Sequence, residues 1–95
     1  MPILHIEHPV PDFNAWKKSF DDDPMDRKGS GVRRYRVLQA TDDPNYVIID
    51  LEFDSTSQAE ALHASLRELW ARVQPEGLVG ATKVRIVEII DTKEL

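Results

Sequence analysis

Ninety-five residues, 41% hydrophobic and 31% charged, make one folded domain and leave no room for a second. The absence of cysteine excludes disulfides, cysteine zinc sites, iron–sulfur clusters and thiol nucleophiles. A formal net charge of −5 repels phosphate backbones, so a nucleic-acid partner is not expected. No apolar run approaches the ~20 residues of a membrane span. Met1-Pro2-Ile3-Leu4-His5 has neither the basic nor the long apolar region of a secretory signal, and a cytoplasmic protein is expected.

The first segment, Ile3 to His8, is rich in β-formers, and Pro9 and Pro11 end it because proline cannot donate to a strand ladder. Asp12 has the chemistry of a helix N-cap. Phe13, Trp16 and Phe20 then recur at three- and four-residue steps, which places them on one helix face. Asp21-Asp22-Asp23-Pro24 stops that helix, since carboxylates oppose the macrodipole at its C-terminus. Met25 to Gly31 reads as a loop and Val32 to Ala40 as a strand. Thr41 to Asn45 is a turn, and Tyr46 to Phe53 alternates with period two. Ser57-Gln58-Ala59-Glu60 has the spacing of a capping box. Leu62, Leu66, Leu69, Trp70 and Val73 share one face of the following helix, which Pro75 and Gly77 end. Lys83 to Ile90 is a last strand, and Asp91 to Leu95 a polar tail.

The order strand, helix, strand, strand, helix, strand implies a single α+β domain over residues 1–95, of ferredoxin-like βαββαβ type. Its four-stranded antiparallel sheet carries both helices on one face. A hairpin without a bulge sets Ala40 opposite Tyr46, Leu38 opposite Ile48, Arg36 opposite Asp50 and Arg34 opposite Glu52. It also puts Val37 beside Ile49 and Tyr35 beside Leu51 on the helix side. The face away from the helices then holds apolar Ile3, Leu38, Ile48, Val87 and Ile89 among His5, Glu7, Arg34, Arg36, Asp50, Glu52 and Arg85. Such a face is too apolar to stay wet and too charged for a dry core, so a second copy is expected to cover it.

Val10-Pro11-Asp12-Phe13-Asn14-Ala15-Trp16, Gly31-Val32-Arg33-Arg34-Tyr35-Arg36 and Asp42-Asp43-Pro44-Asn45-Tyr46-Val47-Ile48 look like segments of small bacterial proteins of one type. Through these, and through the order and lengths of its elements, nearly the whole chain resembles the dimeric α/β-barrel superfamily. That group includes antibiotic-biosynthesis-type monooxygenases, stress-responsive barrel proteins and muconolactone isomerase-like proteins. The resemblance implies a homodimeric α/β barrel with a ligand pocket in each subunit, between helices and sheet. Trp70 lies where a pocket tryptophan occurs. No asparagine lies on the first strand and no histidine follows His63, so the haem-degrading triad does not carry over and no catalytic residue is transferred.

Two constellations remain. His5, Glu7, Asp50 and Glu52 are legitimate metal ligands, but Arg34 and Arg36 beside them repel a cation, so an interface ionic network of all six is expected and no metal. His5 among carboxylates has a tunable pKa and is the candidate catalytic base. Trp16, Arg33, Tyr35 and Trp70 are the candidate ligand-binding residues under the helices, although aromatics at helical spacing also serve as plain core. Arg27 and Lys28 in the Gly-rich loop suit an anionic ligand at a pocket mouth, but solvated loop charges are the preferred reading, and His63 and Arg67 read as solvent-facing. Two functions stay open: a small-molecule-binding homodimer, as an enzyme a cofactor-free monooxygenase or isomerase, or a non-catalytic dimerisation or stress-related binding module. Neither calls for a cofactor.

Overall fold

The computed structural model describes residues 1–23, 26–73 and 82–95, with backbone alone over 69–73. Its elements are β1 (Pro2–Pro9), α1 (Phe13–Asp21), β2 (Val32–Ala40), β3 (Asp43–Phe53), α2 (Thr56–Val73) and β4 (Lys83–Glu88). The strands form one antiparallel sheet in the order β2-β3-β1-β4, the ferredoxin-like arrangement expected. Alternation decides which residues meet the helices. Leu4 pairs with Leu51 and Ile86, and Ile6 with Ile49 and Val84, so one face is aliphatic across three strands. Leu4, Val47 and Phe53 are fully buried there. The helix α1 adds Phe13, Trp16 and Phe20, and α2 adds Ala59, Leu62 and Leu66.

The central hairpin keeps the expected register from Arg34 opposite Glu52 to Leu38 opposite Ile48. Its tip differs. Ala40 pairs with Asp43 rather than Tyr46, and the ladder shifts between Gln39 and Ala40. Pro44 has no N–H to give the ladder, and the strand accommodates it with a bulge. The Asn45 N–H turns back to the Asp43 carboxylate at 3.0 Å, and the Gln39 side-chain amide donates to the Pro44 carbonyl at 2.8 Å. The turn therefore contracts, and β3 starts at Asp43. A second shift makes Arg33 the extra residue between Val32 and Arg34. Gly31, just before it, sits at φ 97°, a conformation that suits glycine.

Both helix starts depart from expectation. Asp12 holds the N-cap position of α1 in extended backbone, but its side chain makes no cap bond. Asn45 of β3 does the work instead, its Oδ1 accepting the Phe13 N–H at 3.2 Å and its carbonyl accepting the Val10 N–H at 2.7 Å. The start of α2 lies two residues before the expected box. Ser55 Oγ accepts the Gln58 N–H at 3.3 Å, because a strand ending at Phe53 leaves only Asp54 and Ser55 to turn the chain. Pairing of β4 stops at Glu88, short of the expected Ile90, and Ile89 and Ile90 are exposed. Pro75 and Gly77, and the side chains of Leu69, Trp70 and Val73, lie outside the described residues. No helix among the described residues is long and apolar enough to cross a membrane.

Candidate functional site

The sheet separates two chemistries. On the face without helices, β1 and β3 bring His5 beside Glu7 and Asp50. His5 Nδ1 lies 2.6 Å from Asp50 Oδ1, and Nε2 lies 2.9 Å from Glu7 Oε2. Two acceptors for two ring nitrogens require the imidazolium, since a neutral ring has one N–H only. The Tyr46 hydroxyl donates to Glu7 Oε1 at 2.7 Å, and Arg36 donates to Asp50 Oδ2 at 3.2 Å. The chain of contacts thus runs Tyr46, Glu7, His5, Asp50, Arg36. Arg34 stands apart from it, 3.7 Å from Glu52.

The six expected network residues do share this face, in two separate groups. Tyr46 was not among them. It lies diagonally from Glu7 across the β1–β3 ladder, at a reach only a long side chain covers.

Burial alone would lower the His5 pKa, but its hydrogen bonds to Glu7 and Asp50 and their charges outweigh it and raise it. The Tyr46 hydroxyl, then His5, holds the Glu7 carboxyl below its ordinary range. The same bond to Glu7 raises the Tyr46 phenol. Among the described residues, no group of three histidines or carboxylates is placed to hold a metal ion. Beside this network, His5, Glu7, Lys83, Arg85 and Val87 line a shallow recess of about 350 Å³.

The helix side is aromatic. Trp16 stacks on Phe20 with ring centres 5.2 Å apart, and Phe20 meets Tyr35 edge-on at 5.2 Å. Phe13 and His8 close the row behind Trp16. Arg27 is not a solvated loop charge. Its guanidinium lies 4.0 Å over the Phe20 ring and 4.8 Å from the Tyr35 ring, and Nη1 donates to the Phe20 carbonyl at 2.7 Å. Only 14% of its side chain is exposed. Sequence spacing carries no signal for this, because the loop must first fold back over α1.

A second recess, about 500 Å³, opens at the start of β2, where Arg27, Lys28, Arg33, Tyr35, Asp54 and Gln58 are among its lining residues. Of the expected ligand-binding residues, Arg33 and Tyr35 line it. Trp16 stands behind Phe20 and does not, and the Trp70 side chain lies outside the described residues. His5 is on the opposite face of the sheet. Alternation along β1 turns it away from Leu4 and Ile6, so it cannot serve a ligand beside Tyr35 as the expected base. His63 is half-buried rather than solvent-facing, and burial, with Arg67 nearby, lowers its pKa.

A ferredoxin-like domain with an ionic sheet face on one side and an aliphatic face packed under an aromatic helix on the other is the class these features define. No family model and no curated protein matches the chain. Solved structures do match it in fold. Rv0793 from Mycobacterium tuberculosis aligns at TM-score 0.65 and 19% identity, over 99% of this chain and 100% of its own. A dimeric ferredoxin-like protein from an uncultured marine organism aligns at TM-score 0.66 and 11% identity, over 99% and 98%. An antibiotic biosynthesis monooxygenase aligns at TM-score 0.63 and 12% identity, over 96% and 100%. The chain shares the ferredoxin-like fold of these proteins over 96–99% of its length.

Proposed function

We propose that this chain is a homodimeric α/β-barrel protein that binds a small, partly aromatic molecule in each subunit, on the helix side of its sheet. One observation carries the reading: among the described residues no element covers the sheet face opposite the helices. Leu38 and Val87 are each 39% exposed there, around carboxylates that are already half-buried. A second copy removes those apolar surfaces from water and further shields the ion pairs. Structural neighbours described as dimeric support the same assembly. With that face covered, the recess beside Tyr35 and Arg27 stays open to a ligand.

A monooxygenase is among the structural neighbours, which brings a catalytic reading into view. In this chain, however, the two carboxylates lining the recess are engaged, Asp23 at 3.4 Å from Arg27 and Asp54 at 3.5 Å from Arg33. Binding is therefore better supported than proton abstraction. The assembly is tested by sedimentation of the parent chain and of Leu38→Lys, which places a charge in the apolar part of the face at little cost to a lone subunit. The parent is expected at twice the chain mass and the variant at one chain. A parent that sediments as one chain at tens of micromolar removes the dimer from the reading.

A further inference from the structure

Resting on the binding reading above, we propose that the recess at the start of β2 takes an aromatic carboxylate, with its ring against Tyr35 and its anionic group among Arg27, Arg33 and Lys28. Size comes first. A recess of about 500 Å³ is in the range of small-molecule sites and admits one or two fused rings. Tyr35 is 43% exposed even though its ring packs edge-on against Phe20. With Arg27 over one side of it and Phe20 against it, the ring still presents exposed aromatic surface at a place already built from rings.

Charge comes second. The protein is acidic overall, at −5, yet this recess is lined by Arg27, Lys28 and Arg33 against only Asp23 and Asp54, while Arg34, also at its wall, pairs with Glu52. Local charge thus opposes global charge, which favours an anion at this place.

Arg27 makes the patch more than loose surface cations. Stacking on Phe20 and Tyr35 holds its guanidinium in place, and its polar contacts, to the Phe20 carbonyl and to Asp23, both run through Nη1. Among the described residues its other nitrogens make no further polar contact, and they form the planar fork that suits a carboxylate. Because the cation is already ordered, little rotamer freedom is lost on binding. Gly31 shapes the same wall. A Cβ there would come within 3.0 Å of the Gln58 side chain, which also lines the recess. The recess beside Lys83 and Arg85 is the competing place for an anion, but it lies on the sheet face that the second copy covers.

The test is a titration of the uniformly nitrogen-15-labelled full chain with 2-naphthoate and, separately, with uncharged 2-naphthamide, followed by amide shifts. Naphthoate is expected to shift Gly31, Val32, Tyr35 and Gln58, and naphthamide to bind at least about tenfold more weakly, as loss of a charge-assisted bond implies. Lys28→Gln combined with Arg33→Gln should weaken naphthoate and leave naphthamide unchanged. Both positions are exposed, and the amide spectrum itself reports whether the fold is kept. Equal binding of the two probes overturns the anion claim and leaves the aromatic site standing. Shifts centred on Lys83 and Arg85 overturn the location. No shift with either probe overturns this inference and the binding reading together, while the sedimentation result stands apart from both.

Discussion

Replacing His5 by glutamine tests the ionic face directly. In the parent, the imidazolium bridges Glu7 and Asp50, whose side chains are 27% and 13% exposed. Glutamine keeps a donor for one carboxylate and removes the charge from both. Each charge-assisted bond contributes about 1.5–3 kcal/mol when well shielded, and partial exposure of all three groups lowers that, so the pair is worth about 2 kcal/mol.

The sign follows from the direction of the His5 shift, which is upward from 6.5. A raised folded pKa means that the contribution is fully present below pH 6.5 and is lost as pH rises through the higher, folded value. Thermal unfolding at fixed protomer concentration is the assay. Near pH 6 the variant should melt about 10 °C below the parent, since about 1 kcal/mol moves a domain of this size by about 4–8 °C. The gap should shrink as pH rises through the folded His5 pKa, because the parent then loses the same charge. A gap that stays constant while the parent's His5 loses its proton, or that widens with pH, refutes the bridging imidazolium.

Other expectations concern single contacts. Tyr46→Phe removes the donor that holds the Glu7 carboxyl below its ordinary 4.5, and should cost about 1 kcal/mol in urea unfolding near neutrality. Because a depressed pKa stabilises above 4.5 and loses its effect as pH falls through the lower folded value, that cost should vanish in acid. Asn45→Ala strips the cap from Phe13 and should cost about 1 kcal/mol, whereas Asp12→Ala should cost little, and the reverse ranking would refute the cap assignment. Phe53→Ala opens a cavity under a fully buried ring and should cost about 3–5 kcal/mol, with a loss below 2 kcal/mol pointing to a looser core.

The fold was legible because two periodicities of the chain agree with it. Alternation in Tyr46–Phe53 and Ile3–His8 marks a one-sided sheet, and the Arg34–Glu52 and Arg36–Asp50 pairs allow only one register. Positions that depend on backbone chemistry near a proline were less legible. Pro44 moves the hairpin tip, and Asn45 thereby reaches a helix start far from it in sequence, taking the role Asp12 had been expected to fill. The candidate site was half legible. Alternation gathers His5, Glu7, Asp50 and Arg36 on one face, and the same rule sets His5 apart from Tyr35, though helix aromatics and a strand histidine look compatible when read as composition. Arg27 was illegible, since its role depends on a loop folding over Phe20, a tertiary event with no periodic trace.

The strand order has a consequence for how copies can meet. Among the described residues β1 and β3 lie inside the sheet, and β2 and β4 are its edge strands. Across Val32–Ala40, β2 carries three arginines and no acid, and β4 carries Lys83 and Arg85 against Glu88. An approaching copy would present its own cationic strand to either edge, and like charges set directly opposite one another destabilise a ladder. The sheet thus guards itself against lengthening strand by strand into a fibre, and leaves its broad face, where acids and bases alternate, as the direction in which it tolerates company.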